Sequence, residues 1–509
     1  VKHRLHCRRP FETWCLKFLR CWALGAWCFA ASAAPRPNII FVLTDDQGYG
    51  DLSGHGNPIL KTPNIDRFYH ESVRFTDFNV SPTCAPTRAA LLTGRHEFKN
   101  GVTHTILERE RLTTNAVTIA QVLKSAGYAT GIFGKWHLGD EPAYQPNQRG
   151  FDEVFIHGAG GIGQTFPGTC GDAPGNSYFD PTVLHNGKFV ATDGYCTDVF
   201  FAQALKWMDA RRGATQPFLA WIALNAPHAP LDVPPNYLNL YTNKTGTNLS
   251  AAKFFGMIVN IDDNFGKLLN KLREWNLETN TLVIFMTDNG GTAGVPIFNA
   301  GMRGAKVTPY LGGIRVPSIW RWPAAFAGGV DCDKLTAHID LFPTFAEIAG
   351  AKLNDETRRQ VEGRSLLPLL KNPNAEWPER VLITHVGRWE PGRAGESAYR
   401  NASIRNARFQ MVSVAKPKED ATKPRWELFD LKNDPAEKTN VFAKFPKVAR
   451  ELGIRYYDWW GEIQPMLVNE DVPAPKMNPF KAVFWKQFGG GPDETLRKQM
   501  DPTVLDAKR

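Results

Sequence analysis

The chain has no run of about 20 apolar residues, the length a helix needs to cross a bilayer. It has no close His/Cys ligand spacing, which disfavours zinc. It has no internal repeat and no long low-complexity tract, so it is not built as a repeat array. A strong charge of one sign is missing as well. Lys2, Arg4, Arg8, Arg9, Lys17 and Arg20 against Glu12 account for +5 of the formal +9, leaving +4 for everything after residue 34. That charge is dispersed, and no basic stripe interleaves with aromatics, so nucleic acid is excluded as a partner. An anionic substrate would suit it.

The first 34 residues stand apart. A long basic region leads into an apolar run from Trp22 to Ala31, followed by Ser32-Ala33-Ala34. This is the pattern of a secretory signal with a small-residue cleavage site. Bulky Trp27 before Cys28 argues against a lipoprotein signal. Cleavage near Ala34 is expected, then export to the periplasm or the exterior without stable membrane insertion. The signal takes Cys7, Cys15, Cys21 and Cys28, leaving Cys84, Cys170, Cys196 and Cys332. Cys170 and Cys196 flank a Gly/Asp/Asn-rich loop, which suits a disulfide in an oxidising compartment. Cys332 reads as a spare thiol.

What is present is an ordinary globular composition, 43% hydrophobic and 22% charged. With 509 residues it is enough for one large α/β domain and a smaller one. Apolar runs at Ile39–Leu43, Ala129–Phe133, Phe218–Leu224 and Leu282–Met286 each end in polar residues. Their length and continuity predict strands buried on both faces. Helical segments at Thr118–Ala126, Asp198–Arg211 and Ala251–Trp275 alternate with them. The alternation predicts a large, mostly parallel sheet sandwiched by helices, with ligands bound beyond the strands' carboxyl ends. Near Trp377 the texture changes. Arg380–Val386, Ser403–Val414 and Trp426–Leu431 read as strands and Phe445–Trp460 as an amphipathic helix, a smaller antiparallel sheet with a helix packed on it. The Pro- and Gly-rich tail after Met466 reads as extended. The expected division is a signal at 1–34, a catalytic domain at 35–378, and a C-terminal subdomain with its tail at 379–509.

The segment Val80–Arg95 places Cys84 at the start of an Ala/Leu-rich helix closed by Gly94, where backbone N–H groups favour an anion. An ordinary buried thiol would look the same on its own. Asp45-Asp46 and Asp288-Asn289 form acidic corners at two strand ends. Adjacent carboxylates repel unless a cation lies between them. Three carboxylates and an amide carbonyl make a hard-oxygen set, and crowded, irregular coordination favours calcium over magnesium. Lys135, His137, His228, Lys306 and Arg88 add basic groups suited to a tetrahedral anion, with histidine able to move a proton.

Taken together these motifs resemble the formylglycine-dependent sulfatases of the alkaline phosphatase superfamily. The resemblance rests on Pro37-Asn38-Ile39-Ile40 through Asp45-Asp46, Lys61 to Asp66, Cys84-Ala85-Pro86-Thr87-Arg88, Thr93-Gly94-Arg95, Gly134 to Gly139, Pro227-His228-Ala229-Pro230, Thr287 to Gly290 and Gly312 to Pro317. Leu428 to Leu431, with Asn433-Asp434-Pro435 and Glu437, resembles the family's C-terminal part. The resemblance implies an alkaline phosphatase-like fold and hydrolysis of a sulfate ester to alcohol and inorganic sulfate. It implies that a separate formylglycine-generating enzyme oxidises Cys84 to formylglycine. The hydrate of that aldehyde has one hydroxyl to attack sulfur and a second to expel sulfate. Asp45, Asp46, Asp288 and Asn289, with the group made from Cys84, would hold one calcium ion. Arg88 would hold the hydrate, and Lys135 and Lys306 would bind sulfate oxygens. His228 would protonate the leaving alcohol, and His137 would take the second hydroxyl's proton. A sulfated polysaccharide fragment is the preferred substrate class, with aryl sulfates also open.

Thr87 replaces the commoner serine and keeps its hydroxyl. Leu311 stands where many relatives carry glutamate, and Val307 where glycine often follows the lysine. A further sulfate-contacting residue is expected after Gly150, with His157 and Gln164 as candidates. Two other readings remain: a phosphonate or phosphate ester hydrolase of the same superfamily, and a sulfated-glycan-binding relative never oxidised at Cys84. Loops such as His385–Arg393 carry Trp, Arg and His of the kind that line a sugar site.

Overall fold

The structure is a computed structural model that describes residues 36–164, 166, 168–244, 246–415 and 419–491. The expected signal segment lies outside the described residues. The described residues form one compact unit. Its strands are β1 (Asn38–Thr44), β2 (Val73–Phe75), β3 (Phe78–Asn79), β4 (Ala129–Lys135), β5 (Glu153–His157), β6 (Thr182–His185), β7 (Lys188–Ala191), β8 (Phe218–Ala223), β9 (Thr281–Thr287), β10 (Ser318–Arg321), β11 (Val330–Cys332), β12 (Thr336–Ala337), β13 (Leu382–His385), β14 (Ala402–Arg405), β15 (Phe409–Ser413) and β16 (Trp426–Asp430).

Ten strands form the main sheet in the order β11-β2-β10-β9-β1-β8-β4-β5-β6-β7. Its centre, β9-β1-β8-β4-β5, is parallel throughout. Antiparallel pairs flank it on both sides, β10 with β9 and β2, and β6 with β5 and β7. The expected mostly parallel sheet is therefore present, with antiparallel margins that the apolar runs did not foretell. Strand alternation explains why β1 is apolar without a break. Ile39, Phe41 and Leu43 pack on one face with Leu91, Phe342 and Phe345. Ile40 and Val42 pack on the other with Trp207, Met257, Ile261 and Phe265. Each such side chain taken fully out of water contributes roughly 1.5–3 kcal/mol. The last three of those partners lie on the helix Leu249–Glu274, spaced to share one face, and Asn248 caps it by accepting the Ala251 N–H.

The expected helix at the centre of the site is Cys84–Thr93. Thr83 is extended at φ −148°, so Cys84 is the first helical residue. Gly94, at φ +70°, closes the helix by donating its N–H to Ala90.

The second sheet is antiparallel, in the order β13-β14-β15-β16. The helix Pro446–Ile463 covers it with Leu452, Tyr456, Trp459 and Trp460. Two expectations are corrected here. Ser403–Val414 is not one strand: Asn406 turns the chain by accepting the Arg408 and Phe409 N–H groups on its side-chain oxygen, making the hairpin β14–β15. The tail is not wholly extended, because Pro479–Phe488 is a helix capped by Asn478 that buries Phe480 against Phe189. The Cys170–Cys196 disulfide is also corrected. Both thiols are free and buried. Cys196 donates to Asn225 at 3.3 Å, whereas Cys170 lies beside Gly171, whose N–H is held by Asp140. Cys332 is likewise a buried free thiol. Among the described residues no helix is long and apolar enough to cross a membrane.

Candidate active site

Because β1, β4, β8 and β9 are parallel neighbours, their carboxyl ends share one edge of the sheet. The loops leaving that edge carry Asp45-Asp46, Lys135-Trp136-His137, Asn225 to His228, and Asp288-Asn289. The N-terminus of Cys84–Thr93 meets them there. Oxygens of Asp45 and Asp288 and the Cys84 sulfur all lie within 4.8 Å of one another, as do ligand atoms of Asp45, Asp46 and His228.

The charges interlock. Arg88 grips Asp288 Oδ2 through Nε at 3.0 Å and Nη2 at 2.8 Å, and its Nη2 lies 3.6 Å from Asp45. Lys135 donates to Asp45, and Lys306 reaches Asp46 Oδ1 at 2.6 Å. His228 Nε2 stands 3.7 Å from Asp46 Oδ2. Asn289 donates to Asp46 Oδ1 at 2.9 Å, and the Asp46 N–H reaches Asp288 Oδ1 at 3.3 Å. Asp45, Asp288, Asn289, Arg88, Lys135 and His137 are buried, whereas the side chains of Lys306 and His228 keep 12% and 13% exposure. This part-buried pair marks the side of the cluster nearest solvent, the mouth of the site.

Burial and charge pull the titrating groups apart. Burial raises Asp45 to about 7, with Lys135 opposing and Asp46 adding. Burial, then Asp45, raises Asp288 to about 6. Burial would raise Asp46 too, but Lys306 and His228 outweigh it and hold that carboxyl well below its ordinary range. Burial would raise the Cys84 thiol, yet Lys135 and Lys306 outweigh it and lower it. Burial, reinforced by Lys135, keeps His137 far below the usual histidine value, hence neutral.

His137 is held in one tautomer. Its Nε2 lies 2.8 Å from the Thr105 carbonyl, which can only accept, so Nε2 carries the proton. Nδ1 is buried without a hydrogen-bond partner and bears the lone pair. The same reasoning puts a proton on His228 Nδ1, 2.7 Å from the Ala229 carbonyl, and leaves Nε2 facing the pocket. The Thr105 carbonyl was missed in the sequence, since a backbone acceptor carries no residue-type signature.

All the expected site residues thus converge, namely Asp45, Asp46, Cys84, Arg88, Lys135, His137, His228, Asp288, Asn289 and Lys306. Of the two candidates after Gly150, His157 is fully buried beside Lys135 in the β4–β5 register, with neither ring nitrogen hydrogen-bonded and Nδ1 3.8 Å from Asp172 Oδ2. The Gln164 amide approaches Gly160 and Gly161, next to His137 and the Ala229 carbonyl.

Residues 37–351 match the Sulfatase family, and residues 306–454 match N-sulphoglucosamine sulphohydrolase, C-terminal. The N-acetylgalactosamine-6-sulfatase of Rattus norvegicus is 33% identical over 372 residues, 68% of this chain and 68% of that one. The chain belongs to the Sulfatase family. Arylsulfatase G of Rattus norvegicus is 30% identical over 463 residues, 81% of this sulfatase and 84% of the relative. Among solved structures, Ps i-CgsB in complex with k-i-k-neocarrahexaose superposes with a TM-score of 0.74 at 28% identity, covering 89% of this chain and 97% of that one. The chain is a sulfuric ester hydrolase of the alkaline phosphatase superfamily.

Proposed function

We propose that this sulfatase removes sulfate from carbohydrates by means of a formylglycine made from Cys84 and one calcium ion. The observation that carries the reading is the meeting of Cys84, three carboxylates and five basic side chains on one sheet edge. A relative named N-acetylgalactosamine-6-sulfatase and a similar fold in complex with a neocarrahexaose support a sugar ester.

The donor set fits a hard cation. Asp45, Asp46 and Asp288 supply carboxylates and Asn289 an amide oxygen. Asp45 Oδ1 and Asn289 Oδ1 are buried with no hydrogen-bond partner, so both have lone pairs to give. Calcium bound there would polarise a sulfate oxygen and lower the pKa of the attacking hydroxyl. The hydrate of formylglycine supplies what a thiol lacks, a second hydroxyl on the same carbon with which to expel sulfate. Arg88 orients Asp288 beside Cys84, and Asp288 accepts the proton of the attacking hydroxyl. Lys135 and Lys306 direct positive charge at the sulfate oxygens, where negative charge builds up in transfer. His228 delivers a proton from Nε2 to the departing alcohol oxygen only as the doubly protonated ring, a form that burial opposes and Asp46, 3.7 Å away, favours. His137, in the floor, takes the second hydroxyl's proton on Nδ1.

Cys84 is 2% exposed, which favours oxidation by the formylglycine-generating enzyme before the chain folds. Residues 1–34 then serve as the export signal, 35–378 as the catalytic domain and 379–509 as a supporting subdomain. Mass spectrometry of the Cys84 peptide, from protein made in its native host, should show the aldehyde; a permanent thiol would sink the catalytic reading. Cys84→Ala is expected to lower kcat/KM on 4-nitrophenyl sulfate by at least about 10³-fold.

A further inference from the structure

The helix that begins at Cys84 is tied across its two ends. Ser81 lies three residues before Cys84, and Glu97 opens the turn Glu97–Asn100 that follows the helix Cys84–Thr93. The Ser81 hydroxyl donates to Glu97 Oε1 at 2.6 Å, and Ser81 Oγ lies 3.1 Å from His338 Nε2. Glu97 Oε2 stands 3.7 Å from both His96 Nδ1 and His338 Nε2. Glu97 and Ser81 are buried. Burial would keep Glu97 protonated, but His96, then His338 and the Ser81 hydroxyl, outweigh it and hold the carboxyl down at about 2. An ionised carboxylate only accepts, so Ser81 gives it its one proton and takes the His338 N–H in turn. A hydrogen bond to an ionised acceptor is roughly twice as strong as a neutral one.

The Ser81 anchor is passed on to Cys84. The Ser81 carbonyl accepts Thr87 Oγ1 at 3.0 Å, and the Thr83 carbonyl accepts the Thr87 N–H at 3.2 Å, which closes the bend into the helix. Just upstream, the Val80 N–H donates to the Ile314 carbonyl at 2.8 Å. The turn that carries Glu97 is itself fastened to the C-terminal lobe. The His96 ring packs edge-on against Trp459 at 4.8 Å, and Lys99 pairs with Glu462 at 2.5 Å, both partners lying on the helix Pro446–Ile463. A run of directional contacts thus joins the second lobe to the segment that aims residue 84.

We propose that Glu97 is a positioning residue for the sulfatase reaction, which through Ser81 fixes where the side chain of residue 84 stands against Asp45 and Asp288. The inference rests on the formylglycine reading above and goes beyond it by giving a role to a carboxylate outside the site. The test measures kcat and KM on 4-nitrophenyl sulfate per molecule bearing formylglycine. Mass spectrometry of the Cys84 peptide supplies that content, so that poor oxidation of a variant is not mistaken for poor positioning. Ser81→Ala and Glu97→Ala should lower kcat about tenfold or more with KM within about twofold, because the groups that hold sulfate stay in place. Glu97→Gln keeps an oxygen for the Ser81 hydroxyl and should stay within about threefold of the natural chain. If Glu97→Ala does not fold, Ser81→Ala decides alone. An unchanged kcat in the alanine variants, a rise in KM in place of a fall in kcat, or a Glu97→Gln variant as slow as Glu97→Ala overturns the positioning role alone. No sulfate turnover by the natural chain oxidised at Cys84 overturns the parent reading and the positioning role with it.

Discussion

Val307 sits at φ +68°, where a β-branched side chain crowds its own backbone. Its N–H donates to the Pro82 carbonyl at 2.9 Å, which pins the neighbour of Lys306 to the segment leading into Cys84. The tether holds Val307 in the left-handed turn, a conformation that glycine adopts without strain. Val307→Gly should therefore stabilise the fold by about 1 kcal/mol, strain relief exceeding the added chain entropy. Urea unfolding would measure it, and a loss of stability would mean that valine packing outweighs the strain. Asp46 and His137 share the left-handed region, at φ +65° and +58°. At this scale the residue types of the site were legible, because carboxylates, lysines and histidines announce their chemistry. Their conformations were not: a valine conceals a glycine-like backbone, and the Thr105 carbonyl that sets the His137 tautomer belongs to no side chain.

At the level of elements, the site exists because four parallel strands end together, and those strands were legible. A run apolar on both faces is the mark of a strand covered on both sides, and β1, β4, β8 and β9 are such runs. The short margins β2, β6, β7 and β11 have only three or four residues each and lack that mark. Asn406 also looked like one more strand residue, since a side-chain oxygen accepting two backbone N–H groups declares itself only in three dimensions. The closeness of β4 to β8 leads to a prediction. Gly134 has φ +115°, and a Cβ there would lie 1.9 Å from the Ala223 carbonyl oxygen. Gly134→Ala must push β4 away from β8 and carry Lys135 with it. A stability loss of about 3 kcal/mol or more is expected, with a fall in kcat for whatever folds. Thermal unfolding and aryl sulfate turnover would check the two parts, and an unchanged Tm would refute the argument.

For the whole molecule, the C-terminal lobe completes the catalytic one. Leu311 is buried and starts the short helix Leu311–Ile314. The Leu311 N–H is satisfied from afar, donating to Glu437 Oε2 at 2.9 Å, while Arg303 donates to the Glu437 carbonyl at 3.1 Å. Glu437 follows β16, so the second sheet holds the loop that bears Lys306. Glu437 is fully buried, and burial raises its carboxyl from 4.5 to about 7, with the Leu311 N–H opposing. The sign follows from linkage. A carboxyl raised by folding stays protonated in the native state after the unfolded chain has ionised. The stability it lends is therefore whole below about pH 4.5 and is lost as pH rises through about 7. A shift of this size corresponds to something on the order of 3 kcal/mol between pH 4.5 and 8. Glu437→Gln keeps an oxygen for the Leu311 N–H but cannot ionise. Its unfolding free energy should fall less steeply across that interval than that of the natural chain, so that the two curves converge or cross near pH 8. Parallel curves in urea titrations at pH 5, 6, 7 and 8 would show that Glu437 ionises with water at hand and that the two lobes are not joined by a neutral carboxyl.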